Sequence, residues 1–263
     1  MAPSAHSNEL YCGIDIGASN AKIALVDRAG QLVSHACLRS GVDYGATALR
    51  LREAALGARD PGDVVCTVAT GYGRHNVSFA QTSATEIHCH GLGCYHQLRQ
   101  AMVIVDIGAQ DNKVIVLGDD GHRRRFRMNR QCASGTGAFL EEIALRLDVA
   151  LDEFNSLAST TTESVSLSSY CTVFAKTEIL AHLRQGASVA ALIRGAYESV
   201  VDRVLEMDSF EFAVVLTGGV AQYHPAVVQV LARRLSKPVL VPERPQLTGA
   251  LGAALHAIRV GSM

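Results

Sequence analysis

Two aspartates stand in the same small setting. Asp15 is followed by Gly17 and Lys22, and Asp106 by Gly108 and Lys113, so the glycine and the lysine recur at equal distances from the acid. The strings around them, GIDIGASNAKIAL and IVDIGAQDNKVIV, form an internal repeat with a period of about 90 residues. A polar turn between two runs rich in Ile and Val presents backbone N–H groups that can face phosphate oxygens, and its acid suits a hydrated Mg2+. Asp15, Gly17, Ser19, Asn20 and Lys22 make the first candidate loop, and Asp106, Gly108, Gln110 and Lys113 the second. Thr217-Gly218-Gly219, after the apolar run FEFAVVL, adds a third turn of the kind that lets a nucleotide approach the backbone closely. Duplicated hairpins with purely structural glycines are the competing reading, but the repeat and the Gly-Gly turn together point to nucleotide binding.

Sulfur supplies a second chemistry. Of seven cysteines, Cys132 comes just before Gly135-Thr136-Gly137 and a helical pattern at Phe139, Leu140, Ile143, Ala144 and Leu147. Cys171 comes just before another at Phe174, Ile179, Leu180 and Leu183. A helix start favours thiolate over thiol, and thiolate is the form that binds metal; two small buried apolar cysteines are the alternative. The group His88, Cys89, His90, Cys94 and His96 is dense in metal-ligating types, yet it lacks paired CxxC spacing and fits a helix whose Cys and His face different ways.

These residues need elements to position them. Leu10 to Val26 and Met102 to Leu117 read as β-hairpins, each extended by a further strand (Gln31 to Leu38; Arg124 to Met128) before the chain turns helical. The helical patterns above, and another at Val189, Leu192, Ile193, Ala196, Val200 and Val204, predict core-facing helices. Phe210 to Leu216 reads as a buried strand, Pro238 to Pro242 as a last strand, and Thr248 to Ile258 as a helix of small residues. The run His122-Arg123-Arg124-Arg125-Phe126-Arg127 is most simply a solvated hairpin edge, with docking of an acidic partner as the sharper alternative.

With 263 residues, 48% hydrophobic and 19% charged, the chain has the means to bury a core, which excludes disorder as its main state. A net charge of -1 excludes a dedicated nucleic-acid binder. No apolar run approaches the roughly 18 residues of a bilayer span, so no membrane role is expected and the location predicted is cytoplasmic.

The strings ATGYGR (Ala69 to Arg74), NRQCASGTGAFLEE (Asn129 to Glu142), SSYCTVFAKTEIL (Ser168 to Leu180), LTGGVAQ and TGALGAAL, together with the two Asp-Gly loops, resemble the ATPases that activate 2-hydroxyacyl-CoA dehydratases or serve as benzoyl-CoA reductase subunits. The resemblance runs from about Tyr11 to Arg259. It implies an α/β protein with two similar domains of the actin/Hsp70/sugar-kinase (ribonuclease H-like) ATPase fold that close on ATP. The first would be residues 9–100, with a returning C-terminal helix 248–260, and the second residues 101–247. It further implies ATP or ADP and Mg2+ near Asp15 and Asp106, with Gln110 orienting water and Gly135, Thr136, Gly137, Gly218, Gly219 and Gln222 contacting nucleotide. Cys132 and Cys171 of two subunits would together hold one bridging [4Fe-4S] cluster, in a homodimer or a heterodimer with a related ATPase subunit. The activity implied is ATP-driven transfer of single electrons, in anaerobic metabolism, from a ferredoxin- or flavodoxin-type donor to an iron–sulfur dehydratase or reductase component. The rivals are a small-molecule kinase of the same superfamily and a non-catalytic actin-like switch.

Overall fold

A computed structural model of the chain describes residues 9–129, 133, 135–167 and 172–262. Two compact units emerge. One gathers the chain up to Gln100, Asp119–Arg123 and the chain from Gln246 onward; the other gathers Ala101–Gly118 and Arg124–Pro245.

The first unit opens with strands β1 (Leu10–Ile16), β2 (Asn20–Val26) and β3 (Leu32–Arg39), followed by helix α1 (Tyr44–Leu56), β4 (Val64–Thr70), β5 (Thr82–Ser83) and α2 (Glu86–Leu98). Its sheet runs β3-β2-β1-β4-β5, with β1 antiparallel to β2 and parallel to β4. The second unit repeats this plan with β6 (Met102–Ile107), β7 (Asn112–Leu117) and β8 (Arg123–Asn129). Helices α3 (Gly137–Leu147), α4 (Phe154–Ser159), α5 (Thr172–Arg184) and α6 (Val189–Leu205) lead to β9 (Ala213–Thr217). Then come α7 (Gly218–Tyr223), α8 (Pro225–Leu235) and β10 (Val239–Leu240). Read from its other edge, β8-β7-β6-β9-β10, the order is that of the first sheet, position for position. Helix α9 (Thr248–Gly261) belongs to the first unit.

Central strands are apolar on both faces because both faces are covered. Cys12, Ile14 and Ile16 of β1 join Leu51 and Ala55 of α1, while Tyr11 joins Ala250, Ala253 and Ala254 of α9. The small residues of α9 have a packing cause: a Cβ on Gly252 would lie 1.7 Å from the Cys89 carbonyl oxygen of α2, so the two helix backbones touch there. In the second unit Val103, Val105, Ile107, Val114 and Val116 meet Phe139, Leu140, Ile193, Tyr197 and Val200 in one core. Burying each large aliphatic side chain contributes about 1.5–3 kcal/mol.

Two expectations are corrected. Phe174 and Leu180 do not face the core; they are 68% and 49% exposed, and the buried stripe of α5 is Ala175 and Ile179 with Leu183 packed alongside. A small alanine carries the inner face, so the bulky residues that suggested the stripe lie beside it. The strand expected from Phe210 begins only at Ala213, because Asp208 accepts the Phe210 N–H and holds that residue in a turn with φ of 55°. Strand β8 is an exposed edge, and its Arg125 pairs with Asp208 at 3.0 Å.

Candidate functional site

In each hairpin the lysine stands directly across the sheet from the acid, Asp15 opposite Lys22 and Asp106 opposite Lys113, which is the structural meaning of their shared spacing. Lys22 Nζ lies 2.9 Å from Asp15 Oδ2. Lys113 Nζ lies 3.2 Å from Asp106 Oδ2 and 2.7 Å from Asp111 Oδ1, so the second lysine is shared by two carboxylates. Asp15 and Asp106 are almost wholly buried. The turns close alike, with the Gly17 N–H donating to Asn20 O and the Gly108 N–H to Asp111 O.

On its other side each aspartate has a parallel partner, Thr70 for Asp15 and Thr217 for Asp106. The residue after each threonine is a glycine with positive φ, Gly71 at +91° and Gly218 at +93°. A Cβ on Gly71 would stand 2.5 Å from Asp15 Oδ1, and one on Gly218 would stand 2.7 Å from Asp106 Oδ1. The Gly-Gly turn after β9 therefore has a counterpart in the Thr-Gly of ATGYGR after β4. The sequence carries the signal, a Thr-Gly closing an apolar strand in both halves, but the pairing requires the sheets. Only the second half adds a hydrogen bond from Thr217 Oγ1 to Asp106 Oδ1, at 3.2 Å.

Each loop is also held from behind, at the same point of the duplicated topology. Buried Ser40, just after β3, donates its N–H to Ser19 O and its hydroxyl to Gly17 O, at 2.9 and 2.6 Å. After β8 the corresponding place is taken by the start of α3. Here the Gly137 and Ala138 N–H groups donate to Gly108 O and Ala109 O at 2.8 Å, Thr136 Oγ1 donates to Ala109 O at 2.9 Å, and Asn112 Nδ2 donates to Gly135 O at 2.8 Å. Gly135, Thr136 and Gly137 are thus bonded to the second loop itself. Gln110 is exposed at the tip of that loop, and Gln222 is exposed on α7, whose first residues are Gly218 and Gly219. Ser40, Thr70, Gly71 and Asn112 are the residues that sequence reasoning missed here.

Helix α7 is anchored from below. The Tyr197 hydroxyl lies 3.0 Å from His224 Nδ1 and donates to Asn155 Oδ1 at 3.2 Å, while Asn155 Nδ2 donates to Tyr223 O. Burial keeps His224 neutral, lowering its pKa to about 4.

The Cys and His group on α2 scatters as a helix dictates. Cys89 and Cys94 are buried, His88 Nε2 faces His256 Nδ1 at 3.4 Å, and His96 approaches Gly30. His90 Nε2 and Asp15 Oδ2 both lie close to the point a Cβ on Gly249 would occupy, at 3.0 and 3.1 Å. Among the described residues no three His, Cys, Asp or Glu converge to hold a metal.

Cys132 and Cys171 lie outside the described residues. The thiols of Cys12 and Cys89 are pushed up to about 12 by burial, and those of Cys66 and Cys37 shift upward for the same reason, so these four are held as thiols. The donors around Asp15 and Asp106 fit Mg-nucleotide: buried hard oxygens beside glycine backbone, where a Cβ would fill the space. No helix among the described residues is long and apolar enough to cross a membrane.

The family described as the BadF/BadG/BcrA/BcrD ATPase family matches residues 12–257. The activator of lactoyl-CoA dehydratase from Anaerotignum propionicum is 39% identical over 249 residues, covering 93% of this chain and 96% of that protein. Among solved structures, the activator of the 2-hydroxyisocaproyl-CoA dehydratase from Clostridium difficile with bound ADPNP is 34% identical, with a TM-score of 0.88 and 96% of each chain covered. Component A of the (R)-2-hydroxyglutaryl-CoA dehydratase from Acidaminococcus fermentans is 32% identical, with a TM-score of 0.91, covering 97% of this chain and 100% of that one. The duplicated α/β ATPase fold expected from the sequence is the fold these structures share.

Proposed function

Because the chain belongs to the BadF/BadG/BcrA/BcrD ATPase family, we propose that it hydrolyses ATP to drive single electrons into a partner enzyme acting on a CoA thioester. A 2-hydroxyacyl-CoA dehydratase suits the near full-length match to dehydratase activators better than a benzoyl-CoA reductase core. In this reading the backbone of the two Asp-Gly loops and Lys22 receive the phosphates of ATP. Gly218, Gly219 and Gln222 receive the nucleoside. Asp15 and Asp106 would hold Mg2+, which when bound neutralises charge that is greatest during phosphoryl transfer. Gln110, at the exposed tip of its loop, orients the attacking water.

Cys132 and Cys171, with the same pair from a second, identical or related subunit, would hold a [4Fe-4S] cluster that supplies one-electron chemistry when bound. Their neighbours do the mechanical part. The observation that carries this reading is the set of hydrogen bonds from Thr136, Gly137 and Ala138 to the carbonyls of Gly108 and Ala109. A shift of the phosphate loop must move the start of α3, a few residues along the chain from Cys132. The electron source in this scheme is a ferredoxin- or flavodoxin-type protein, and the setting is the anaerobic cytoplasm.

The test uses anaerobically purified protein, a reductant, Mg-ATP and an isolated 2-hydroxyacyl-CoA dehydratase. Dehydration should begin only when all are present and should stop when ADPNP replaces ATP. Phosphorylation of a small molecule with no effect on the dehydratase would instead establish the kinase.

A further inference from the structure

The two Asp-Gly loops are alike in backbone and opposite in the charge they present. In each, the glycine N–H donates to the carbonyl three residues on, Gly17 to Asn20 O and Gly108 to Asp111 O, so Asn20 and Asp111 hold the same place in the two hairpins. A Cβ on Gly17 would lie 3.3 Å from Lys22 Nζ, whereas one on Gly108 would lie 2.9 Å from Asp111 Oδ1. An ammonium therefore stands over the glycine of the first loop and a carboxylate over the glycine of the second.

The balance of charge differs accordingly. Asp15 and Lys22 set one acid against one base at 2.9 Å. In the second loop Lys113 Nζ lies 2.7 Å from Asp111 Oδ1 and 3.2 Å from Asp106 Oδ2, so two acids face one base and a formal negative charge is left over. Because Asp111 holds the lysine at the shorter distance, buried Asp106 keeps charge that a cation can use. A phosphate that approaches Gly108 without a cation meets the Asp111 carboxylate, and like charges repel.

We infer that Asp111 is the specificity-determining residue that makes the second loop take nucleotide as its Mg2+ complex and turn away metal-free nucleotide. The inference rests on the ATPase reading and deepens it by dividing the labour of the loops, the first matched to phosphate charge and the second to the metal. Without the Asp111 charge, Lys113 is left to Asp106 and competes with Mg2+ there, while the repulsion of bare phosphate is gone.

Calorimetry on the anaerobic full-length protein, with ADPNP in excess Mg2+ and in EDTA, tests this. The parent should bind the Mg2+ complex about fivefold or more tighter than metal-free ADPNP, the lower end of ordinary coupling between two ligands. Asp111→Asn gives the second loop the residue of the first, and Asp111→Ala removes the side chain beyond Cβ. Both variants should lose most of the preference for the Mg2+ complex. Persistence of the full preference in either variant overturns the inference. So does weaker binding by an equal factor in Mg2+ and in EDTA, the mark of a structural role alone. A parent that binds ADPNP equally well in both conditions overturns the inference and leaves the ATPase reading standing, whereas a parent that binds no ADPNP overturns both.

Discussion

Gly71 and Gly218 set the distance at which backbone meets a buried carboxylate. A methyl group at either would stand within 2.7 Å of an Asp oxygen and at least as close to the carbonyl oxygen of Ile16 or Ile107, at a φ that L side chains rarely adopt. Gly218→Ala should therefore lower stability by about 1–3 kcal/mol, and weaken ADP binding further by displacing Asp106. Thermal unfolding with and without Mg-ADP separates the two effects, and an unchanged ADP affinity would remove Gly218 from the site. Asp106→Asn tests the adjoining group. It should reduce hydrolysis by about 100-fold or more while ADP binding falls far less, because metal-held charge matters most during transfer. Turnover equal to the parent's would show that this loop does not serve the phosphates. The lysines invite a paired comparison as well, since Lys113 is shared between Asp106 and Asp111 while Lys22 has a somewhat more exposed side chain.

At the scale of elements, the anchoring of α7 carries a pH signature. The folded-state pKa of His224 lies near 4 against an ordinary 6.5, so the unfolded chain binds the extra proton first as pH falls. Its contribution is complete above pH 6.5 and is lost between there and pH 4, amounting to roughly 3 kcal/mol. Hydrogen exchange of α6 and α7 should show this loss in the parent and a flatter slope in His224→Gln. An equal slope in both would place the titration elsewhere. Much of the element plan was legible beforehand, because runs of Ile and Val around a polar turn suit little else and the turn occurs twice. What stayed hidden needed three-dimensional pairing. Ser40 lies more than twenty residues from the first loop's Gly17 and no local pattern marks its hydroxyl as a support, while the Thr-Gly of ATGYGR is visible in the sequence but its place beside Asp15 needs the sheet. Asn112 was in plain view beside Asp111, but its bond to the Gly135 carbonyl appears only in the folded chain. The periodicity of α5 misled because Ala175, and not Phe174, faces inward.

The whole molecule is two copies of one sheet plan put to unequal use. The first copy backs its Asp-Gly loop with a serine, and the second backs its own with Thr136 and the start of α3. That asymmetry is what an ATPase needs if hydrolysis is to be felt at a metal centre. Cys132→Ala or Cys171→Ala should each give colourless protein that dimerises poorly, whereas Cys37→Ala and Cys66→Ala should leave iron content unchanged. Retention of about four irons per dimer in either of the first two would contradict the bridging assignment. If nucleotide state and redox state are linked as proposed, the linkage must be reciprocal. Its most direct test is the affinity for Mg-ATP of anaerobic protein in the oxidised and the one-electron-reduced states. The two affinities should differ roughly 5- to 150-fold, the usual range of coupling between sites. Equal affinities in the two states would contradict it.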